Sequence, residues 1–331
     1  MDRILIIQSA FIGDVILSTG IIEKLHRFFP EAKIDFLLRK GNEPLLIGHP
    51  FINELLIWDK QKKKFRNLFK IIRKIRQNKY DYVINIQRFA TTGLMSVLSG
   101  ADNKIGFNKN PFAFLFNHKV EHIIGTRDHP KHEIERNNDL IAHLTDNIAE
   151  KPKLYLQNDE LNQVKNLKQI PYICIAPTSV WKTKQFPASK WIEFINSIDT
   201  IEKIYLLGSK NDFNACEEIK VKIKPEVMIE NLSGKLNLLQ SAALMKDAKM
   251  NYVNDSAPMH LASAFNAPVA AIFCSTIPEF GFGPVSEKSF IIELKEKLKC
   301  RPCCLHGLKS CPENHFNCAY SIKSQQLLMY L

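Results

Sequence analysis

Short apolar runs and amphipathic stretches alternate along this 331-residue chain. Residues 3–8 form an almost continuous apolar run, the pattern of a strand buried on both faces. Residues 14–28 follow with Val15, Ile16, Ile21, Ile22 and Leu25 at helical spacing. The same reading predicts strands at 33–38, 54–58, 80–86 and 104–107. Helices are expected near 43–47, over the basic segment that begins at Lys60, and at 90–98. Residues 108–130 show no usable period, 131–146 return to a helical pattern, and the polar stretch 151–169 reads as a linker. The alternation then restarts. Strands are expected at 172–176, 203–207, 250–253 and 268–273, and helices at 188–198, 212–223, 236–248 and 258–265.

Such β-α repetition predicts an α/β chain with parallel sheets covered by helices on both faces. The length exceeds one ordinary core. The expected organisation is two Rossmann-like, doubly wound domains, 1–155 and 168–318, with residues 319–331 as a terminal helix packing back on the first. Two domains of this kind facing each other are expected to leave a cleft at the carboxyl ends of their sheets.

Charge changes this picture locally. The net charge is +11, and Lys60, Lys62, Lys63, Lys64, Arg66, Lys70, Arg73, Lys74, Arg76 and Lys79 crowd one segment. Phe65, Leu68, Phe69, Ile72 and Ile75 recur there at helical spacing, so the segment reads as a basic amphipathic helix. One reading is an ordinary solvated face; the other is attraction to something anionic. No nucleic-acid module with interleaved aromatics accompanies it, so a membrane surface or an anionic acceptor fits Lys62, Lys63, Lys64, Arg66 and Arg73 better than nucleic acid. No apolar run approaches the roughly 18–20 residues of a spanning helix. Gln8, Ser9 and Asp14 interrupt the first apolar run, which makes it a poor secretory signal. The expected location is the cytoplasm, peripheral to the inner membrane.

Five of the eight cysteines lie near the end: Cys300, Cys303, Cys304, Cys311 and Cys318. A cytoplasmic setting argues against a disulfide scaffold. Cys300-x-x-Cys303 has ligand-like spacing, but the later pair is seven residues apart, unlike a zinc knuckle. Reduced thiols are expected, with Cys300, Cys303, Cys311 and Cys318 as the alternative metal set.

Three turns carry candidate chemistry. Ser9 to Asp14 directly follows the first strand. Gly13 lets the backbone bend or come close to a ligand, and the Asp14 carboxylate is either a helix cap or a general base. There is one glycine where a dinucleotide fingerprint has three, and no Walker lysine follows, which disfavours a dehydrogenase or a kinase. In 176–187, Thr178 and Ser179 can donate to phosphate oxygens, and Lys184 or Lys182 can neutralise a pyrophosphate. In 254–260, Asp255 or Ser256 would cap a helix that starts near Pro258, and His260 would project from its first turn. The free N–H groups and partial positive charge of a helix start suit a phosphate. Asp212, after the strand at 203–207, is a further candidate for a sugar hydroxyl.

Taken in order, Ile12-Gly13-Asp14, Lys184-Gln185-Phe186-Pro187 and Asp255-Ser256-x-Pro258-Met259-His260 resemble the ADP-heptose–lipopolysaccharide heptosyltransferases. Cys300-x-x-Cys303 followed by Cys311-Pro312-x-x-His315-x-x-Cys318 looks most like heptosyltransferase II. The resemblance implies a GT-B fold and inverting, metal-independent transfer of heptose from ADP-heptose to the lipopolysaccharide inner core, with no cofactor. It implies that Asp14 is the general base, that Lys184 stabilises the departing pyrophosphate, and that Asp255, Ser256, Ala257 and His260 hold the donor. The family has glycine at the position of Ala257 and tryptophan at that of Phe186. Two alternatives remain: a related transferase using another nucleotide sugar, and a non-catalytic anionic-lipid-binding protein on the same scaffold.

Overall fold

The computed structural model describes residues 3–199 and 202–331. The chain divides into two compact units, Met1–Gly125 with Lys131–Tyr155, and Thr126–Pro130 with Leu156–Leu331.

The first unit contains β1 (Arg3–Ile7), α1 (Ile12–Phe28), β2 (Lys33–Arg39), β3 (Ile52–Trp58), α2 (Lys64–Gln77), β4 (Tyr82–Asn85), α3 (Ala90–Val97), β5 (Asn103–Phe107), β6 (His118–Val120) and α4 (Glu133–Asp139). Its six strands run parallel in the order β3-β2-β1-β4-β5-β6. This is the doubly wound order that reverses at β1. The central strand explains its own sequence. Ile4, Leu5, Ile6 and Ile7 are fully buried, because β2 and β4 flank β1 and helices cover both faces.

The second unit contains α5 (Asn158–Val164), β7 (Tyr172–Ala176), α6 (Ala188–Asn196), β8 (Lys203–Leu206), α7 (Phe213–Lys220), β9 (Ile229–Asn231), α8 (Leu238–Lys246), β10 (Asn251–Asn254), α9 (Ala257–Ala264), β11 (Val269–Phe273), β12 (Ser289–Glu293), α10 (Asn317–Tyr320) and α11 (Ser324–Leu328). Its sheet, β12-β11-β10-β7-β8-β9, is again wholly parallel and reverses at its first strand.

Several expectations require correction. The strands β6, β9 and β12 escape a periodicity search because an edge strand needs no long apolar run. The stretch expected to be a linker contains α5. The helix expected over 131–146 stops at Asp139. The chain beyond it instead wraps the buried Lys24 ammonium, which donates to Asn138 Oδ1 (2.7 Å), the Asp146 carbonyl (2.7 Å) and the Ile148 carbonyl (2.6 Å). Residues 319–331 belong to the second unit and pack in its core. Ile322 and Leu327 are fully buried with Trp191 and Tyr252, and Gln326 donates to the Glu293 carbonyl at 3.0 Å. In α2, Leu68, Ile71, Ile72 and Ile75 face inward, whereas Phe65 and Phe69 are 72% and 66% exposed.

One polar residue is locked inside the first sheet. Asp35 on β2 is fully buried. It accepts from Arg3 Nη2 (3.0 Å), Tyr80 Oη (2.7 Å) and Asn53 Nδ2 (2.7 Å). Removing the carboxylate takes the acceptor from the buried Tyr80 hydroxyl and from the partly buried Arg3 guanidinium, whereas Asn53 is exposed to water. Asp35→Ala is therefore expected to destabilise the first unit by about 3 kcal/mol, read as a lowered urea midpoint; an unchanged midpoint would show that water replaces the carboxylate without loss.

Candidate active site

In the first unit the turn after β1 is held from three neighbouring strand ends. Ser9 Oγ donates to Gln87 Oε1 beyond β4 (2.7 Å). Lys60 Nζ, beyond β3, donates to the Ser9 carbonyl (2.6 Å). Asn42 Nδ2, beyond β2, donates to the Ala10 carbonyl (3.0 Å). Burial first, then the nearby Arg39 and Lys64, push the pKa of the Lys60 ammonium down to about 8. Its like-charged neighbours make this a place where an anion would be welcome.

The helix α1 begins at Ile12, two residues earlier than expected, so Gly13 lies in its first turn rather than at a bend. Asp14 is its third residue, is half-buried, and accepts the Phe11 backbone N–H at 3.2 Å. One oxygen thus caps the helix, and Asp14 also faces α4. Burial raises the Glu133 carboxyl above its ordinary range, Arg136 opposes that rise, and Asp14 adds to it. Glu133 is clamped by Arg136 through Nε (2.7 Å) and Nη2 (2.5 Å). His122, just beyond β6, has its pKa pushed down to about 4 by burial and then by Arg88, Arg136 and Lys109, so it is neutral at pH 7. The C-terminal edge of this sheet thereby gathers a carboxylate, a buried ion pair and several cations.

In the second unit, three neighbouring strands deliver the site. The loop after β7 brings Thr178, Ser179 and Lys184, the turn after β10 brings Asp255 and Ser256, and the end of β11 brings Ser275 and Thr276. Lys184 Nζ lies 2.7 Å from Asp255 Oδ2, and Thr276 Oγ1 donates to the same oxygen at 2.6 Å. Asp255 is only 5% exposed. Its carboxylate therefore does not cap α9. Ser256 occupies the N-cap position in extended conformation, but its hydroxyl makes no capping bond and donates to the Asn254 carbonyl at 3.3 Å. Ala257 is the first residue of α9 and is not among the residues with positive φ, so the backbone conformation there does not require glycine. His260, three residues on, is buried. Thr178 and Ser179 are half-exposed on their loop.

Asp212 behaves differently from the expectation. Its Oδ2 accepts both the Ser209 N–H (2.8 Å) and the Ser209 hydroxyl (2.5 Å), which closes its own turn. Lys62, Lys63, Lys64, Arg66 and Arg73 are exposed at and around the start of α2.

Residues missed in the sequence support the Lys184 loop. Asn254 Oδ1 accepts the Phe186 N–H at 2.9 Å, and its Nδ2 donates to the Thr178 carbonyl at 3.3 Å. Thr183 Oγ1 accepts the Leu308 N–H (2.7 Å) and the Ser275 hydroxyl (3.0 Å). Arg301, 7% exposed, donates to the carbonyls of Cys274 (2.7 Å) and Thr276 (2.8 Å). Gly307 has φ +84°, and a Cβ there would lie 2.8 Å from Trp181 Cβ and 3.0 Å from Lys184 Cγ. Ser275-Thr276 carries a legible signal, a hydroxyl pair directly after an apolar run. Arg301 and Gly307 carry none.

The cysteine-rich tail thus braces the Lys184 loop. Cys300 Sγ lies 3.9 Å from His315 Nε2. Burial raises the Cys303 and Cys318 thiols, Cys318 to about 12, and each also feels Cys300 and Cys311. Among the described residues, no group of three or more side chains is placed to hold a metal ion.

Comparison with known proteins gives the family of the chain. The model of glycosyltransferase family 9 (heptosyltransferase) matches residues 68–309. Lipopolysaccharide heptosyltransferase 3 of Escherichia coli K12 is 28% identical over 283 residues, covering 80% of each chain. The solved ADP-heptose lps heptosyltransferase II of E. coli superposes with a TM-score of 0.80 at 22% identity, covering 100% of this chain and 97% of that one. E. coli heptosyltransferase WaaC, solved with ADP-2-deoxy-2-fluoro heptose, superposes at 0.72 with 16% identity, over 99% and 98% of the two chains. Relatives of types 2 and 3 both match, so the comparisons give the family and leave the subtype undivided. With two parallel doubly wound sheets of the GT-B kind, this chain belongs to glycosyltransferase family 9, the heptosyltransferases.

Proposed function

We propose that this enzyme transfers heptose, with inversion, from ADP-heptose to the inner core of lipopolysaccharide. The observation that carries the reading is the Lys184–Asp255–Thr276 cluster at the start of α9. A diphosphate there meets one ammonium group and the partly positive start of a helix. Names of relatives point the same way: one is a lipopolysaccharide heptosyltransferase, and a solved neighbour carries a fluorinated ADP-heptose.

The chemistry assigns a role to each group. An acceptor hydroxyl attacks the anomeric carbon of the heptose, and Asp14 takes its proton. The bond between that carbon and the β-phosphate oxygen breaks, and ADP leaves with the electron pair. The negative charge that grows on ADP is stabilised where it develops, by Lys184 and the positive end of the α9 dipole. Asp255 holds the ammonium in place before the donor arrives, while Thr178, Ser179, Ser256, Ala257 and His260 lie in the turns around it. The cations Lys62, Lys63, Lys64, Arg66 and Arg73 serve the anionic acceptor and the membrane surface on which it resides. Among the described residues no helix is long and apolar enough to cross a membrane. Attachment through this basic surface fits a peripheral enzyme of the cytoplasmic face.

The decisive assay incubates the enzyme with ADP-heptose and a truncated lipopolysaccharide core, and follows the mass of the acceptor and the configuration of the new linkage. A panel of other nucleotide sugars is run beside it; turnover with one of these alone would transfer the reading to a different donor, and no ADP binding at all would favour a non-catalytic scaffold. Asp14→Asn is expected to lower kcat about a thousandfold with little change in ADP affinity; wild-type turnover would remove Asp14 from its role. Lys184→Ala should cost about a hundredfold in donor kcat/KM. Gly307→Val forces a side chain against Lys184 and a left-handed backbone, and should reduce donor use about tenfold while leaving the first unit folded.

A further inference from the structure

The unusual feature outside the proposed reaction is the solvent face of α2. Leu68, Ile71, Ile72 and Ile75 anchor this helix, yet Phe65 and Phe69 stand 72% and 66% exposed. Residues four apart lie one turn above each other, so the two rings form one apolar strip, continued by Arg73 and Arg76. Adjacent exposed aromatic rings rimmed by polar groups mark an interaction surface.

The rim is strongly one-sided. Residues 60–79 contain ten cations and no Asp or Glu. Lys62, Lys63, Lys64, Arg66, Lys70 and Arg73 are all exposed and, among the described residues, none of the six forms an ion pair. The nearby acids are already used: Glu54 pairs with Lys74, and Asp59 with Lys40 at 3.3 Å. An occupant must supply negative charge across a broad face and an apolar layer beneath it. A phenylalanine ring needs no hydrogen-bond partner in an acyl layer, and the cations reach the phosphates above it.

We propose that α2 is a membrane wedge, in which Phe65 and Phe69 enter an anionic phospholipid bilayer while Lys62, Lys63, Lys64, Arg66, Lys70 and Arg73 engage its headgroups. This rests on the membrane-surface reading above and names the side chains that do the inserting, but it does not depend on the identity of the donor.

The test uses the purified full chain and vesicles of phosphatidylglycerol with phosphatidylethanolamine, or of phosphatidylcholine alone, without donor or acceptor. Sedimentation with the anionic vesicles is expected, weakened by high salt. Phe65→Ser with Phe69→Ser should lower that partitioning at least about tenfold, with an unchanged melting temperature and unchanged transfer to a delipidated, water-soluble core oligosaccharide. In a second measurement, Phe65→Trp should show a blue-shifted emission difference from wild type on anionic vesicles and quenching by brominated acyl chains. The wedge is overturned if wild type ignores anionic vesicles, if the double variant binds them as wild type does, or if the added emission of the Phe65→Trp variant does not respond. It is equally overturned if Phe65 and Phe69 prove to drive self-association in sedimentation velocity, or if the double variant stays folded and loses transfer to the soluble acceptor. Failure of the transferase reading would appear separately, as absence of turnover with every nucleotide sugar by a chain that still binds vesicles.

Discussion

Every strand in each sheet points the same way, and this constraint decides where the chemistry can be. Parallel strands need a crossover after each one, so all the turns that follow strands collect on one edge of the sheet. At that edge side chains are not needed for the core and are free to meet ligands. In the first unit, turns after β1, β2, β3 and β4 meet around Ser9 to Asp14. In the second, the ends of β7, β10 and β11 meet around Lys184 and Asp255. Residues more than seventy positions apart become neighbours because their strands are adjacent, not because the chain between them is short.

The two edges differ in how they handle charge. Around Asp14 the charges are distributed: Glu133 is buried and bound by Arg136, His122 is kept neutral, and the Lys60 pKa is pushed down to about 8. Around Lys184 the charge is focused into one ion pair that is nearly dry. A buried pair is costly to desolvate and is weak evidence for stability. In the proposed reaction its presence at the start of α9 would serve as preorganisation, an ammonium held ready for a leaving group that gains charge. The tail contributes by bracing. Arg301, Leu308 and Gly307 tie residues 300–308 to the Lys184 loop and to the end of β11.

Much of this is legible in the chain. Continuous apolar runs such as residues 4–7 mark strands buried on both faces, and their alternation with amphipathic stretches marks a parallel sheet. The turn residues Asp14, Lys184 and Asp255 stand out because each follows such a run. The failures have a common cause. Asp212 reads as available for a ligand, and the sequence does not show that Ser209, three residues earlier, already engages one of its oxygens. Asp255 reads as a cap, but Lys184 and Thr276 compete for it, and neither is near it in sequence. Phe65 and Phe69 share the helical period of Leu68 and Ile72, and a period cannot say where a buried face ends; the strands beneath set that limit.

By itself, then, the order of residues determined the elements, their parallel direction and the three turns that carry polar groups. Those depend on local propensity and on burial patterns that repeat every two or 3.6 residues. Only the tertiary structure decided which polar groups face one another, which are taken up by caps, that the last helix belongs to the second unit, and that two phenylalanines of α2 stay in water. Those outcomes arise from competition between groups far apart in the chain, and such a competition is settled by distance in space.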